Sequence, residues 1–197
     1  MLKFSDACER NKDPILKILK HEFNNSNLVL EIGSGTAQHA VYFGKHLSHL
    51  NWQPTDLNEN LASIKERIEL EATDNVKSPI ELDVSKHPWP VLHVDAVFTA
   101  NTFHIMSWEL VENFFVGLGE VLNRSGALCV YGPFKYRGKY TSESNEKFDG
   151  FLKSRDPQSG IRDFEDVNIL AIEQGLKLLE DHQMPANNQC IVWKKSH

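Results

Sequence analysis

The sequence predicts an α/β domain over residues 1–197, with a doubly wound, mostly parallel sheet of seven strands. Short apolar runs typical of buried strands alternate with segments of helical periodicity. This alternation favours a parallel sheet with helices on both faces. The last two apolar runs are separated by only ten residues, 180–189. Because a helical crossover needs more chain than that, we expect a C-terminal antiparallel hairpin.

The first half of the chain contains three predicted strands and three predicted helices. Residues 1–27 form an N-terminal helical segment, and its helix is expected to begin at Asp13-Pro14, because Asp caps helices and Pro tolerates the first helical position. The second helix is expected to begin near Thr36, and Asn58 to cap the third. The three strands are predicted at residues 28–32, at a run that ends with Thr55-Asp56, and at 79–82.

The second half completes the sheet and adds an insertion. Ser107 is expected to cap a helix, and a further helix is expected at 163–170. Residues 132–162 are polar and aromatic without a sustained apolar period, and a connection of this length is typical of a functional loop or lid. Strands are predicted at 94–100, 126–131, 176–179 and 190–193.

Composition narrows the class of protein. The chain is 41% hydrophobic and 24% charged, as in ordinary globular proteins. A formal net charge of -6 makes a nucleic-acid partner unlikely. The three cysteines have neither metal-ligand nor redox spacing, the N-terminus lacks a signal peptide, and no run could span a bilayer. We therefore expect a cytoplasmic protein without a membrane partner. Its oligomeric state is left open.

A glycine-containing turn lies between the first strand and the second helix, in Glu31-Ile32-Gly33-Ser34-Gly35. In open α/β sheets, ligands bind beyond the carboxyl ends of the strands, where the strand order reverses. Gly33 and Gly35 allow a sharp turn and a close approach of ligand to backbone. Free N–H groups at the following helix N-terminus favour an anion such as a carboxylate. We therefore predict that Glu31, Gly33, Ser34 and Gly35 contribute to a cofactor site.

Acidic residues at the next two strand ends extend this site. Asp56 lies 21 residues after Gly35, where a carboxylate can accept the hydroxyls of a ribose. Asp83 could accept the exocyclic amine of an adenine, with Leu57 and Val84 beside the ring. A nicotinamide site favours a third glycine, where this sequence has Gln38. The simplest alternative is that the glycines only turn the chain and the carboxylates cap helices.

The pattern Glu31-x-Gly33-x-Gly35 resembles motif I of class I S-adenosylmethionine (SAM)-dependent methyltransferases. Five further segments resemble the methyltransferase-like protein twenty-six family, formerly a domain of unknown function. They are residues 7–16 (ACERNKDPIL), 35–40 (GTAQHA), 52–56 (WQPTD), 131–134 (YGPF) and 184–188 (MPANN). The resemblance covers almost the whole chain. It implies a Rossmann-like methyltransferase fold and SAM as cofactor, with S-adenosylhomocysteine as product, but not the methyl acceptor.

Candidate groups on the acceptor side follow the fourth and fifth strands. Asn101 and Tyr131 are expected to line the methyl-transfer site, and His104 is a candidate base because its unperturbed pKa lies near neutrality. A structural role for His104 is an equally good interpretation. In related methyltransferases an N-terminal segment folds over the donor, so Arg10 or Asn11 is expected to contact the donor carboxylate.

Other polar residues have simpler interpretations. His39, His46 and His49 are predicted to form a solvated helix face, because no second pair of ligands accompanies them, and no metal site is expected. Asn187-Asn188 is expected to form a turn. Three functions remain open. They are a methyltransferase for a small-molecule or protein acceptor (a small or peptide-like one being favoured), a non-catalytic SAM-binding or partner-binding module, and a nicotinamide oxidoreductase.

Overall fold

The computed structural model describes residues 2–196. Its strands are β1 (Leu28–Ile32), β2 (Asn51–Asp56), β3 (Ile80–Glu81), β4 (Val94–Ala100), β5 (Leu122–Gly132), β6 (Phe134–Tyr136), β7 (Lys139–Tyr140), β8 (Arg162–Asp163), β9 (Leu176–Met184) and β10 (Asn188–Lys195). Seven of them form one sheet in the order β3-β2-β1-β4-β5-β10-β9. Neighbours among β1 to β5 are parallel, and β10 is antiparallel to both of its neighbours. The predicted mostly parallel seven-stranded sheet and C-terminal hairpin are confirmed.

Helices cover both faces of this sheet. They are α1 (Asp6–Glu22), α2 (Gln38–His46), α3 (Asn58–Glu71), α4 (Trp108–Val121), α5 (Glu143–Arg155) and α6 (Phe164–Glu173). Successive strand residues point to opposite faces. Val29 therefore packs in the core beneath α1 and α2 with Phe43, while Leu30 packs in the core beneath α4 with Phe114. No helix within residues 2–196 combines the length and apolarity that a bilayer crossing requires.

The first helix begins eight residues earlier than predicted, and Pro14 lies inside it. The Ser5 hydroxyl accepts a hydrogen bond from the Cys8 N–H at 3.4 Å and caps the helix. A proline inside a helix removes one backbone hydrogen bond. The turns before Pro14 are nevertheless held, because Asn11 is buried against the second helix. The prediction of a helix start at Asp13-Pro14 was therefore wrong.

The third helix also has a different cap from the one predicted. Leu57 occupies the N-cap position and Asn58 is the first helical residue. The Asp56 carboxylate instead accepts hydrogen bonds from the Leu57 N–H and the Asn60 side-chain amide, both at 2.8 Å. The Ser107 cap of α4 is confirmed, since its hydroxyl accepts from the Leu110 N–H.

Residues 132–162 contain regular structure that the sequence pattern did not predict. The short strands β6, β7 and β8 form a second sheet in the order β7-β6-β8, and α5 lies between β7 and β8. After β9, a 3-10 turn at Pro185–Asn187 places Ala186 and Asn187 at positive φ. The turn expected at Asn187-Asn188 is thus present, and it contacts α5 through the Asn187 carbonyl, which accepts from the Asn145 amide at 2.9 Å.

Candidate functional site

The glycine turn lies between the end of β1 and the start of α2, at the edge where the strand order reverses between β1 and β4. Gly33 and Gly35 have φ values of 73° and 57°. A Cβ on Gly33 would lie 2.7 Å from the Thr102 methyl group, whereas the space beside Gly35 is free within 4 Å. The turn is therefore packed against the protein at Gly33 and open to a ligand at Gly35.

Glu31 lies beneath this turn. Its side chain is buried, and Oε2 accepts hydrogen bonds from the Trp52 indole N–H at 3.0 Å and the Ser34 hydroxyl at 2.9 Å. Burial raises the pKa of Glu31 to about 7, although these two hydrogen bonds act in the opposite direction. Glu31 does not line the cavities described below, and it contacts the turn through the Ser34 hydroxyl.

Asp56 connects the second strand to the glycine turn. Asp56 as a residue is 8% exposed, and its Oδ2 accepts a hydrogen bond from the Gly35 N–H at 2.7 Å. Its other oxygen serves Leu57 and Asn60. Each carboxylate oxygen can accept two hydrogen bonds, so Oδ2 retains one acceptor position towards the cavity.

The first cavity extends from Gly33 past Asp56 to the end of β3 and measures about 530 Å³, within the usual range for a ligand site. Asp83 lies on its wall, where Oδ1 accepts from the Ser85 N–H at 3.0 Å and the Ser85 hydroxyl at 2.7 Å. These hydrogen bonds lower the pKa of Asp83, so it remains a carboxylate. The apolar wall consists of Ile32, Leu57, Leu82, Val84, Ile105, Met106 and Leu110.

The second cavity, of about 720 Å³, continues from the first towards α5 and the start of α1. Gly33, Asn101, Thr102 and Ile105 line both cavities. Asn101 has a φ of 59°, and its N–H donates to the Tyr131 carbonyl at 2.8 Å. The ends of β4 and β5 are thereby tied together at the junction of the two spaces.

His104 lies on the wall of the second cavity with its ring at the edge of the Phe148 ring, 5.4 Å between centroids. Burial, aided by the charge of Arg162, lowers the pKa of His104 to about 4. The imidazole is therefore neutral at pH 7 and free to accept a hydrogen bond or a proton, although its low basicity limits its strength as a base.

The N-terminal helix forms another wall. Arg10 is exposed and lines both the second cavity and an adjoining space of about 370 Å³ that also contacts Asn11, Asn101 and Tyr131. Asn11 is buried, with Oδ1 2.7 Å from the His39 Nε2. The structure thus brings together four of the five residues that the sequence placed near the donor carboxylate and the acceptor, and His104 lines the adjoining second cavity.

His39 is a wall residue that sequence reasoning missed. The prediction of a solvated face is wrong for His39, which is buried and stacks on Phe43 with ring centroids 5.2 Å apart. It holds for His46, which is exposed on α2, whereas His49 is exposed but lies in the turn after the helix. Burial lowers the pKa of His39 to about 4. Only the packing of α1 on α2 reveals this role, because the partner Asn11 lies 28 residues away.

The insertion at residues 132–162 closes the second cavity, and Asp149, a buried residue of α5, fixes its conformation. Its carboxylate accepts from the Tyr140 hydroxyl at 2.8 Å, the Lys153 ammonium at 2.6 Å and the Ile161 N–H at 2.6 Å. Arg162 donates to the backbone carbonyls of Phe103, at 3.1 Å, and Met106. The segment is therefore anchored to the loop that carries His104.

Several solved structures that match this architecture are methyltransferases. An O-methyltransferase family protein from Burkholderia thailandensis matches with a TM-score of 0.81 and 12% identity over 97% of this chain and 58% of the other. Human N-acetylserotonin methyltransferase in complex with SAM has a TM-score of 0.80 and 13% identity over 98% and 53%. The mitomycin 7-O-methyltransferase MmcR has a TM-score of 0.79 and 10% identity over 95% and 54%. The chain therefore has the Rossmann-like methyltransferase fold and spans a little over half the length of these proteins.

A family model described as "Protein of unknown function (DUF938)" matches residues 2–195. The chain belongs to this family.

Proposed function

We propose that this chain is a SAM-dependent methyltransferase that transfers a methyl group to a small-molecule acceptor. The observation that carries the proposal is the pair of cavities that meet at Asn101, one beyond the glycine turn and strand ends and one beneath α5. A two-substrate transfer needs two such adjoining spaces. Residues 1–197 would then form one domain, in which residues 1–27 form a wall of the site and residues 132–162 form a lid over the site.

The residues of the first cavity fit an adenosyl group. The apolar wall that includes Leu57 and Val84 suits an adenine, and the Asp83 carboxylate suits its exocyclic amine. The free acceptor position on Asp56 Oδ2 suits one ribose hydroxyl. Its other oxygen is occupied by Leu57 and Asn60, so a grip on both hydroxyls would require the Asn60 amide to shift.

The second cavity fits the methionine part of the donor and the acceptor. Arg10 is the charged residue among those lining it, since burial keeps His39 and His104 neutral. A cation that lines the same cavity as the open Gly35 suits the donor carboxylate. The sulfonium of SAM, when bound, supplies an activated methyl group. The chain's contribution is then to hold donor and acceptor in line and exclude water.

Asn101, Tyr131 and His104 would orient the acceptor at the junction. A neutral His104 would accept a hydrogen bond from an acceptor hydroxyl. His104 would remove the proton of that hydroxyl only if the acceptor is acidic enough to release the proton to a weak base.

Two of the matched methyltransferases are named for a small molecule, N-acetylserotonin and mitomycin respectively. The modest size of the second cavity supports the same class here. The segment resemblances support assignment to the methyltransferase-like protein twenty-six family. The acidic net charge supports an acceptor other than nucleic acid, and the absence of spaced cysteine pairs supports a cytoplasmic location.

Calorimetry against SAM, S-adenosylhomocysteine and NAD tests the donor. We expect one equivalent of either adenosyl compound to bind and NAD not to bind. Ile105→Trp should weaken binding by filling the junction, whereas Ile169→Trp should not. Both isoleucine side chains are 54% exposed, and Ile169 lies away from the cavities on α6. Equal affinities in the two variants, or binding of NAD alone, would refute the donor assignment.

Transfer itself is tested by incubation with methyl-labelled SAM and a metabolite extract. We expect labelled product with the wild type and with Asp74→Ala, an exposed aspartate outside the site, and none with Asp56→Ala. SAM binding without transfer to any extract would instead favour the non-catalytic SAM-binding module.

A further inference from the structure

Three metal-ligating side chains meet between the C-terminal end of α1 and the edge strand β9. Glu22 is the last residue of α1, and Glu180 and His182 lie on the edge strand β9. One ligand atom from each residue lies within 4.8 Å of the other two. Residues two apart on a strand point to the same face, so Glu180 and His182 both face α1.

The polar atoms of this cluster are poorly satisfied by the protein alone. The His182 Nε2 is inaccessible to solvent and has no hydrogen-bond partner, and its nearest acid, the Glu180 Oε2, is 3.7 Å away. The Glu22 side chain is 7% exposed, yet its ion pair is with His21, whose side chain is 83% exposed. A carboxylate at a helix C-terminus is also disfavoured by the helix dipole. Within residues 2–196, these two carboxylates have ion pairs with histidines only.

We propose that Glu22, Glu180 and His182 bind a divalent transition-metal ion of the zinc type. Two carboxylate oxygens and an imidazole nitrogen are a donor set that zinc accepts, with water in the fourth position. The ion would supply the positive charge that the helix end and the two carboxylates lack, and it would occupy the unpartnered Nε2. The imidazole argues against magnesium, which favours oxygen ligands.

The site would clamp the end of α1 to the edge of the sheet. The other end of α1 carries Ser5, Cys8 and Arg10, which line the second cavity, and a 17-residue helix spans about 25 Å. None of the three ligands lines the two cavities of the proposed methyl transfer, so the ion would act on the stability of the α1 packing. Its presence or absence is independent of whether the chain binds SAM.

The test is titration of the metal-free full-length chain with Zn²⁺ by calorimetry, with thermal unfolding measured in parallel. We expect one equivalent to bind and to raise the Tm. Removing a residue that only hydrogen-bonds to a metal ligand already weakens metal affinity by roughly 10–100-fold. Removing a ligand itself should therefore weaken the affinity for Zn²⁺ by at least about tenfold. We expect this for His182→Ala and for Glu180→Gln, whose side chain is 58% exposed and whose removal spares the core.

The matched controls are His46→Ala and Glu69→Gln, an exposed histidine and an exposed glutamate on other helices. They should bind Zn²⁺ like the wild type. The visible spectrum of the Co²⁺ form should show the same dependence on His182 and Glu180. No bound Zn²⁺ in the wild type, or undiminished binding in both cluster variants, would overturn the proposal, whatever the outcome with SAM.

Discussion

The protonation of Glu31 should make the stability of the protein depend on pH in a way that Glu31→Gln removes. Burial raises the pKa of this carboxyl from 4.5 to about 7 in the folded chain. Between these values the folded state holds a proton that the unfolded state has released, so stability falls as pH rises through this window. A shift of this size corresponds to roughly 3 kcal/mol at 1.36 kcal/mol per unit.

Glutamine at position 31 keeps a neutral oxygen acceptor for Trp52 and Ser34 and cannot ionise. We therefore expect the stability of Glu31→Gln, relative to the wild type, to rise by up to about 3 kcal/mol between pH 5 and pH 8. Urea unfolding of both proteins at each pH gives the difference. The buried His39 and His104 contribute equally to the pH dependence of stability in both proteins, so their contributions cancel in the difference.

Glu69→Gln is the matched control, because Glu69 is exposed and its pair with Lys65 spans 3.8 Å on the surface of α3. Its stability difference from the wild type should not change with pH. Parallel stability curves for Glu31→Gln and the wild type would show that Glu31 ionises normally beneath the turn and would refute the reasoning.

Further predictions concern the turn, the lid and the second cavity. Gly33→Ala should lower the free energy of unfolding by roughly 2–4 kcal/mol, because Gly33 has a positive φ and an added Cβ would meet the Thr102 methyl. Gly150→Ala, at an exposed helical position with free space, should raise the free energy of unfolding by about 0.5–1 kcal/mol. Equal changes in the two variants, measured by urea unfolding, would contradict this prediction. Asp149→Asn should lower the free energy of unfolding by roughly 2–3 kcal/mol, because an amide cannot accept hydrogen bonds from all three donors. The same variant should speed hydrogen exchange over residues 134–163, and unchanged exchange would disprove the anchoring role of Asp149. The His104 ring should titrate near pH 4 in an NMR experiment. Its contribution to stability is therefore present above pH 6.5 and is lost as the pH falls towards 4. A titration midpoint near pH 6.5 would contradict the burial of the ring.

The main sheet was predictable because each buried strand is a short apolar run with its own turn signal. The glycine turn and Asp56 were predictable for the same reason, since parallel strand ends meet at one edge of the sheet. These features depend on residues close in sequence or on regular strand geometry.

What the sequence did not show depends on contacts between distant segments. Pro14 indicated a helix start, but tertiary packing and the Ser5 cap extend the helix before it. The insertion gave no period because Asp149 organises it through hydrogen bonds rather than through an apolar face. His182 and Glu22 lie 160 residues apart, so no local pattern connects them.

The most direct test of the central claim is a crystal structure of the chain soaked with S-adenosylhomocysteine. We predict density for the adenine between Leu57 and Val84, with a ribose hydroxyl at the free position of Asp56 Oδ2. Well-ordered crystals that show this cavity empty at saturating ligand, or filled by protein side chains, would contradict the account.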